Sequence, residues 1–330
     1  MQHVQLGRTG LQVSKLCLGT MTFGLQCDEE RSRAILDRAA EGGITFLDTA
    51  DAYPIGGQGA ERGRTEEILG RWLAGRRDDY VLATKCGVPM SRRRWDRGGS
   101  RKHILDAVDG SLRRLQTDYI DLYQLHLDDL HTPLDETIAA FDHLVQVGKV
   151  RYVGCSNYSA WRLARALGRA EVLGAARYDC VQPRYNLLHR AAERDLFELC
   201  EAEGVGVIPY NPIAGGMLSG KHRRGDAPTE GTRFTLGTAA GRYQDRYWHD
   251  STFDTVERLG ALAEGAAMSL VTLAAAWCLA QPAVTAPIVG ASKPEQLVDA
   301  LVAADTALAP DLQAEVDELT RPYRLVEQQR

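Results

Sequence analysis

Residues 80–126 read YVLATKCGVPMSRRRWDRGGSRKHILDAVDGSLRRLQTDYIDLYQLH, and they decide the fold. The stretch opens on a strand-like hexad, YVLATK, and crosses a polar loop from Cys86 to Ser100. It then runs through a helix candidate over residues 101–114 and ends in a second strand-like run, IDLYQLH. Strand, helix and strand in succession make a βαβ unit, whose strands must lie parallel because the crossover returns the chain to the same edge. The same alternation extends outward in both directions. Further strand candidates are KLCLG from Lys15, ITFLD from Ile44, VRYVG from Val150, YDCVQ from Tyr178, VGVIPY from Val205 and TAPIVG from Thr285, which brings the strands to eight. Helix candidates cover residues 29–41, 65–74, 134–147 and 190–203, several of them closed by glycine.

Eight βα units without a linker predict the α/β class and a closed (β/α)8 TIM barrel, with residues 1–330 as one domain. The opening VQLGRTGLQV, from Val4, predicts an N-terminal β-hairpin that plugs the bottom of the barrel. Two loops exceed ordinary length, residues 86–100 after the third strand and 211–250 after the seventh. Long βα loops of a barrel are where ligands meet the protein.

Composition narrows the partners. The chain has 330 residues, is 44% hydrophobic and carries 39 basic against 44 acidic side chains, a net charge of -5. That balance gives no general attraction to nucleic acid or to an anionic membrane and points to a small-molecule partner. Seven cysteines lack any C-x-x-C pair, and Cys17, Cys86, Cys155 and Cys180 fall in or beside strand-like runs. Reduced, buried thiols, a cytoplasmic location and no metal site are the expectation. The N-terminus lacks the basic start and apolar run of a signal peptide. The uncharged residues 265–292 are interrupted by Gln281, Pro282 and Pro287, and read as a buried helix feeding a buried strand, not a membrane span. No heptad or interface stripe reveals an oligomeric state.

If the strands are placed correctly, Asp48, Tyr53, Lys85 and His126 converge at one barrel mouth. A lone aspartate at a strand end is usually a cap, and a lone lysine is usually solvated. Together they suit carbonyl reduction, which needs a proton donor for the oxygen as hydride reaches the carbon. Tyr53 is that donor. Its ordinary pKa of about 10 is expected to fall beside the Lys85 ammonium. Asp48 compensates the buried Lys85, and His126 orients the carbonyl oxygen and shares in proton delivery. Phe23, Tyr53, Met90, Trp95, Leu127, Phe234, Tyr243, Tyr247 and Trp248 are the candidate substrate wall. Arg223, Arg224, Arg233, Arg242 and Arg246 are interleaved with Asp226, Glu230 and Asp245, and read as a solvated charged face rather than an anion grip.

No G-x-G-x-x-G or Walker loop is present, so phosphates need another cradle. Residues 290–295, GASKPE, after the last strand offer one, with Ser292 and Glu295 reading as a capping box and Lys293 suited to a ribose 2'-phosphate. Tyr210 reads equally as a core aromatic or a ligand contact, and Gln182 equally as a residue that satisfies backbone groups at the mouth.

The segments GITFLDTADAY from Gly43, VLATK ending at Lys85, YIDLYQLH ending at His126, VRYVGCSNY from Val150 and PIVGASKPEQL from Pro287 resemble the aldo-keto reductase superfamily, in matching order over almost the whole chain. The resemblance implies that Asp48, Tyr53, Lys85 and His126 form a catalytic tetrad with tyrosine as general acid. It implies NADPH/NADP+ as cofactor and reversible reduction of an aldehyde, ketone or keto-sugar. The 2'-phosphate would lie at Ser292 and Lys293, beside Gly290, and adenine near Gln296. The nicotinamide amide would meet Ser156, Asn157 and Gln182, and its ring Tyr210 and Asp48. Gly19, Thr20 and Met21 would flank the ribose, and Pro212, Leu218 and Lys221 the pyrophosphate. This sequence departs from the family in having Ala300 where many members have an adenine-contacting Asn, and in the long Gly-rich PIGGQGAERGRT after Tyr53. The alternative is an NADPH-binding partner subunit resembling the potassium-channel β-subunits, which typically place Arg where Asn157 stands. A Schiff-base aldolase or isomerase is disfavoured, because Asp48 keeps Lys85 protonated.

Overall fold

The computed structural model describes residues 1–325. A hairpin, β1 (His3–Gln5) and β2 (Gln12–Ser14), precedes eight parallel strands. These are β3 (Cys17–Gly19), β4 (Phe46–Asp48), β5 (Val81–Cys86), β6 (Ile120–Leu125), β7 (Val150–Ser156), β8 (Cys180–Gln182), β9 (Gly206–Val207) and β10 (Ile288–Val289). They pair in the order β10-β3-β4-β5-β6-β7-β8-β9. Parallel bridges from Val207 to Val284 and from Tyr210 to Ile288, with Ile288 N–H donating to Pro209 O at 2.8 Å, join the two ends into a barrel.

Strand parity explains the core. On six of the eight strands Leu18, Leu47, Leu82, Tyr123, Val181 and Val289 point outward against the helices. Their neighbours Cys17, Phe46, Ala83, Leu122, Cys180 and Ile288 point inward and fill the barrel. The period of two leaves both faces apolar because helices cover the outside. Leu6 and Val13 of the hairpin join the inner cluster and seal its N-terminal end. Close approach there requires Gly7, which has φ +54°; a Cβ would sit 2.5 Å from Gly204 O and Gly206 N.

The helices are α1 (Glu29–Glu41), α2 (Arg64–Leu73), α3 (Arg101–Leu115), α4 (Leu134–Gln146), α5 (Ala160–Leu173), α6 (Leu196–Glu203), α7 (Ala240–Tyr247), α8 (Asp250–Gly265), α9 (Leu270–Leu279), α10 (Val298–Ala304) and α11 (Pro310–Thr320). Local chemistry sets their starts: Asp28 accepts from Arg31 N–H, Ser100 from His103 N–H and Ser269 from Thr272 N–H. The expected helix over residues 190–203 is instead a 3-10 turn, Ala191–Arg194, followed by α6. Arg190 causes the break by fastening to Glu193 at 2.7 Å and to Thr320 Oγ1 at 2.7 Å, which fixes the turn against the end of α11. No single helix among the described residues is long and apolar enough to cross a membrane. The pair α8 and α9 reaches that length only together, bent by 91°. All seven cysteines are buried and unpaired.

Candidate active site

The inward parity that fills the barrel with apolar side chains continues one step further toward the C-terminal strand ends. There it presents Asp48 after Phe46, Lys85 after Ala83, Gln124 after Leu122, Gln182 after Cys180 and Tyr210 after Ile208. A cavity of about 1890 Å³ opens above this layer. Lys85 is fully buried, and its Nζ donates to Asp48 Oδ2 at 2.6 Å, to Thr49 O at 2.7 Å and to the Tyr53 hydroxyl at 3.5 Å. The second Asp48 oxygen accepts from Gln182 Nε2 at 2.8 Å and Gln124 Nε2 at 3.4 Å. His126 completes the group, its ring edge-on to Tyr53 with centroids 5.7 Å apart. Tyr53, His126 and Asp48 all face the cavity.

Burial is the largest influence on Lys85 and opposes its charge, but Asp48 and Tyr53 together outweigh it and raise the ammonium above its ordinary pKa. Burial also pushes the Tyr53 phenol up, and Lys85 offsets this only in part. The net shift is upward, against the expectation of an acidified phenol, because burial of the hydroxyl at the barrel mouth outweighs the ammonium. Tyr53 therefore carries its proton at neutral pH, and the ammonium limits the cost of losing it. His126 is held neutral, first by burial and then by Lys85 and Arg242. It can orient an oxygen through a hydrogen bond but has no surplus proton to share.

Most of the expected cofactor residues line the cavity. Gly19, Thr20, Met21, Ser156, Asn157, Gln182, Tyr210, Pro212, Lys221, Gly290, Ser292 and Gln296 all do so. Asn157, in the left-handed region with φ +61°, donates to His126 O at 3.0 Å and accepts from the Tyr210 hydroxyl at 2.9 Å, tying three strand ends together. Leu218 does not reach the cavity with its side chain, being fully buried beneath it, and Lys293 stands exposed outside the lining. The capping box from Ser292 to Glu295 does not form. Pro294 takes the first position of a 3-10 turn, Pro294–Leu297, which moves the cap to Lys293. Ser292 N–H and Oγ then donate to Gln296 Oε1, at 2.8 and 3.2 Å.

The substrate wall differs from expectation. Leu127 and Tyr243 line it, but Phe23 is fully buried and Trp95, 55% exposed, stands off the cavity. Met90 lies outside the lining, as do Phe234, Tyr247 and Trp248. Phe234 and Trp248 pack on His222, at centroid distances of 4.9 and 5.1 Å, and so shape the loop instead. The arginines after β9 are not one solvated face. Arg233, Arg242 and Arg246 line the cavity, whereas Arg223 and Arg224 stay outside, the latter paired with Asp254.

Two features escaped the sequence reading. Gln124 binds Asp48, and the inward parity of β6 was the signal that could have found it. The Gly-rich loop after Tyr53 also has a job: Ile55 N–H donates to Met21 O at 2.8 Å, and Gly56 approaches Leu236 and Gly237 across the mouth. With Gln26 Nε2 donating to Gly231 O at 2.6 Å, the loops after β3, β4 and β9 close a ring over the cavity.

The cavity fits an extended anionic dinucleotide. It runs from Tyr53 to Gln296, and Lys221 and Arg233 line it together with Gly215, Gly216 and Gly290.

Comparison with known proteins agrees with this geometry. The model of the Aldo/keto reductase family matches residues 15–321. The chain is 40% identical over 319 residues to the uncharacterized oxidoreductase YrpG of Bacillus subtilis, covering 94% of both chains. It is 36% identical to a probable voltage-gated potassium channel subunit beta of Oryza sativa, over 92% of both chains. To the L-glyceraldehyde 3-phosphate reductase of Escherichia coli K12 it is 34% identical, over 90% of this chain and 86% of the other. A family match spanning every barrel strand, on a barrel with this polar layer at its mouth, leaves one assignment: the chain belongs to the aldo/keto reductase family of oxidoreductases.

Proposed function

We propose that this protein is an NADP-dependent enzyme that reversibly reduces an aldehyde, ketone or keto-sugar to the alcohol, with Tyr53 as proton donor. The observation that carries the reading is the buried Lys85 ammonium, shared between Asp48 at 2.6 Å and the Tyr53 hydroxyl at 3.5 Å. When bound, NADPH supplies hydride to the carbonyl carbon. Tyr53 keeps its proton until negative charge develops on the carbonyl oxygen, then gives it up. Lys85 stabilises the phenolate left behind, and Asp48 keeps Lys85 charged. Neutral His126 orients the oxygen.

Ser156, Asn157 and Gln182 would hold the carboxamide, Tyr210 the ring, and Gly19, Thr20 and Met21 the adjoining ribose. Pro212, Lys221 and the backbone of Leu218 would hold the pyrophosphate. Gly290, Ser292 and Lys293 would take the 2'-phosphate, which favours NADPH over NADH, and Gln296 the adenine. The partner is a small carbonyl compound, with no nucleic acid or membrane partner, and seven unpaired thiols support a reducing cytoplasm. The 36% identity to a potassium channel β-subunit supports a second reading, an NADPH-binding partner subunit with little turnover.

The test is to mix purified protein with NADPH and a panel of aldehydes, keto-sugars and quinones, following absorbance of the reduced nicotinamide. Turnover that disappears in Tyr53→Phe while NADPH binding persists supports the enzyme. Tight NADPH binding without turnover on any carbonyl refutes it in favour of the partner subunit. Affinity for NADH equal to that for NADPH removes the role given to Lys293.

A further inference from the structure

Three members of the catalytic group hold one another through their side chains, Lys85 donating to both Asp48 and Tyr53. The fourth is not held in this way. Nδ1 of His126 is buried without a hydrogen-bond partner, and the ring meets Tyr53 only edge-on, at 83° and 5.7 Å between centroids. A ring without a polar tether takes its direction from the backbone that carries it, because the backbone selects the allowed rotamers.

That backbone is braced on both sides. His126 N–H donates to Cys86 O at 2.8 Å, at the end of β5, and His126 O accepts from Asn157 Nδ2 at 3.0 Å. Beyond it, where the chain has left β6, Arg162 of α5 takes hold. Its Nε donates to Asp128 Oδ1 at 2.9 Å and its Nη2 to Asp129 O at 3.0 Å. Asp129 extends the grip: Oδ2 accepts from Gly99 N–H at 2.8 Å and Thr132 Oγ1 at 2.6 Å, and Oδ1 from His131 N–H at 2.9 Å. Arg162 is 8% exposed, and an ion pair so far from water returns little net stability once dehydration is counted. A planar fork with two bonds in fixed directions does define a position. The segment it grips is the one that matters for chemistry, since His126, Leu127 and Asp128 all face the cavity.

We infer that the Arg162–Asp128 pair is a positioning device for His126: it fixes the backbone from which the imidazole reaches the cavity, and so the direction in which that ring orients the carbonyl oxygen. The inference rests on the reductase reading above. It is tested by a double-variant cycle of Arg162→Gln with His126→Gln, using NADPH and 4-nitrobenzaldehyde. Misplacing a catalytic group by a fraction of an ångström should lower kcat roughly tenfold in Arg162→Gln, with NADP+ affinity unchanged. In the His126→Gln background the same substitution should cost less than about twofold, because no imidazole is left to misplace. Asp128→Ala, which removes the pair from its less buried side, should give the same pattern and carries the test if Arg162→Gln fails to fold.

A tenfold loss that persists without His126 overturns the inference, as does a variant with wild-type kcat. Loss that disappears in a Leu127→Ala background instead assigns the pair to the substrate wall. If 4-nitrobenzaldehyde is not reduced, the reductase reading is put in question separately, and the brace is still read by NMR of protein with 15N-labelled histidine. The ring signal that vanishes in His126→Gln should shift in Arg162→Gln, and a signal left in place sinks the brace.

Discussion

Replacing Lys85 by Met removes a fully buried ammonium from between Asp48 and Tyr53. At an effective dielectric of about 20, unit charges at the observed separation attract by roughly 6 kcal/mol, most of it offset in the wild type by dehydration of both ions. The variant keeps the dehydration of Asp48 and loses the attraction. That carboxylate is left with two amides, Gln182 at 2.8 Å and Gln124 at 3.4 Å. Neutral donors do not replace a cation, and the expected loss is about 3–5 kcal/mol of folding stability. The double variant Asp48→Asn with Lys85→Met removes both charges and should recover about 2–4 kcal/mol of that loss. Urea unfolding followed by circular dichroism measures both, with the slope against denaturant unchanged if only stability has moved. Carbonyl reduction should fall by at least ~100-fold in the single and the double variant alike, because neither retains a cation beside the phenol. A Lys85→Met protein within about 1 kcal/mol of wild type would refute the reasoning, as would a double variant no more stable than the single one.

Three further outcomes follow from other parts of the molecule. Burial raises the Asp179 carboxyl to about 6, so the folded state binds more protons than the unfolded chain between pH ~4 and 6 and stability falls as pH rises through that window. Asp179→Asn should accordingly stabilise the protein by about 1–3 kcal/mol at pH 7.5 and leave it unchanged near pH ~4, read by thermal melting. Burial drives His189 down to about 3 and His222 to about 4, so the folded state takes up protons later than the unfolded chain and stability declines as pH drops below ~6.5. Each contributes up to about 1.4 kcal/mol per pH unit, and His222→Gln should flatten the acid limb by that amount between pH ~6 and 4.5. Gly7→Ala forces a Cβ to within 2.5 Å of the backbone at Gly204 and Gly206, which should lift the hairpin from the barrel floor. The expected loss is about 2 kcal/mol or more, and an equally stable variant would show that the hairpin does not seal the barrel.

The barrel was legible because its signals are local. Eight β-favouring runs alternate with amphipathic helices, and a parallel sheet leaves each strand apolar on both faces, so each strand announces itself within a few residues. The helix over residues 190–203 was misjudged for the opposite reason: the break belongs to Arg190 and the end of α11, some 130 positions away in sequence. The Ser292 cap failed on a nearer competitor, Pro294, whose preference for the first helical position was readable but not weighed.

By itself the sequence determined which side chains could do chemistry, and that they stand at strand ends, since parity and strand length are properties of the chain. Only the tertiary structure decided which of them meet. It closed Lys85 onto Asp48 and Tyr53, sank Phe23 into the core and left Trp95 outside. It also buried the phenol enough that its pKa rises despite the ammonium. Burial and pairing are sums over neighbours brought together from distant parts of the chain, and no window of sequence contains them.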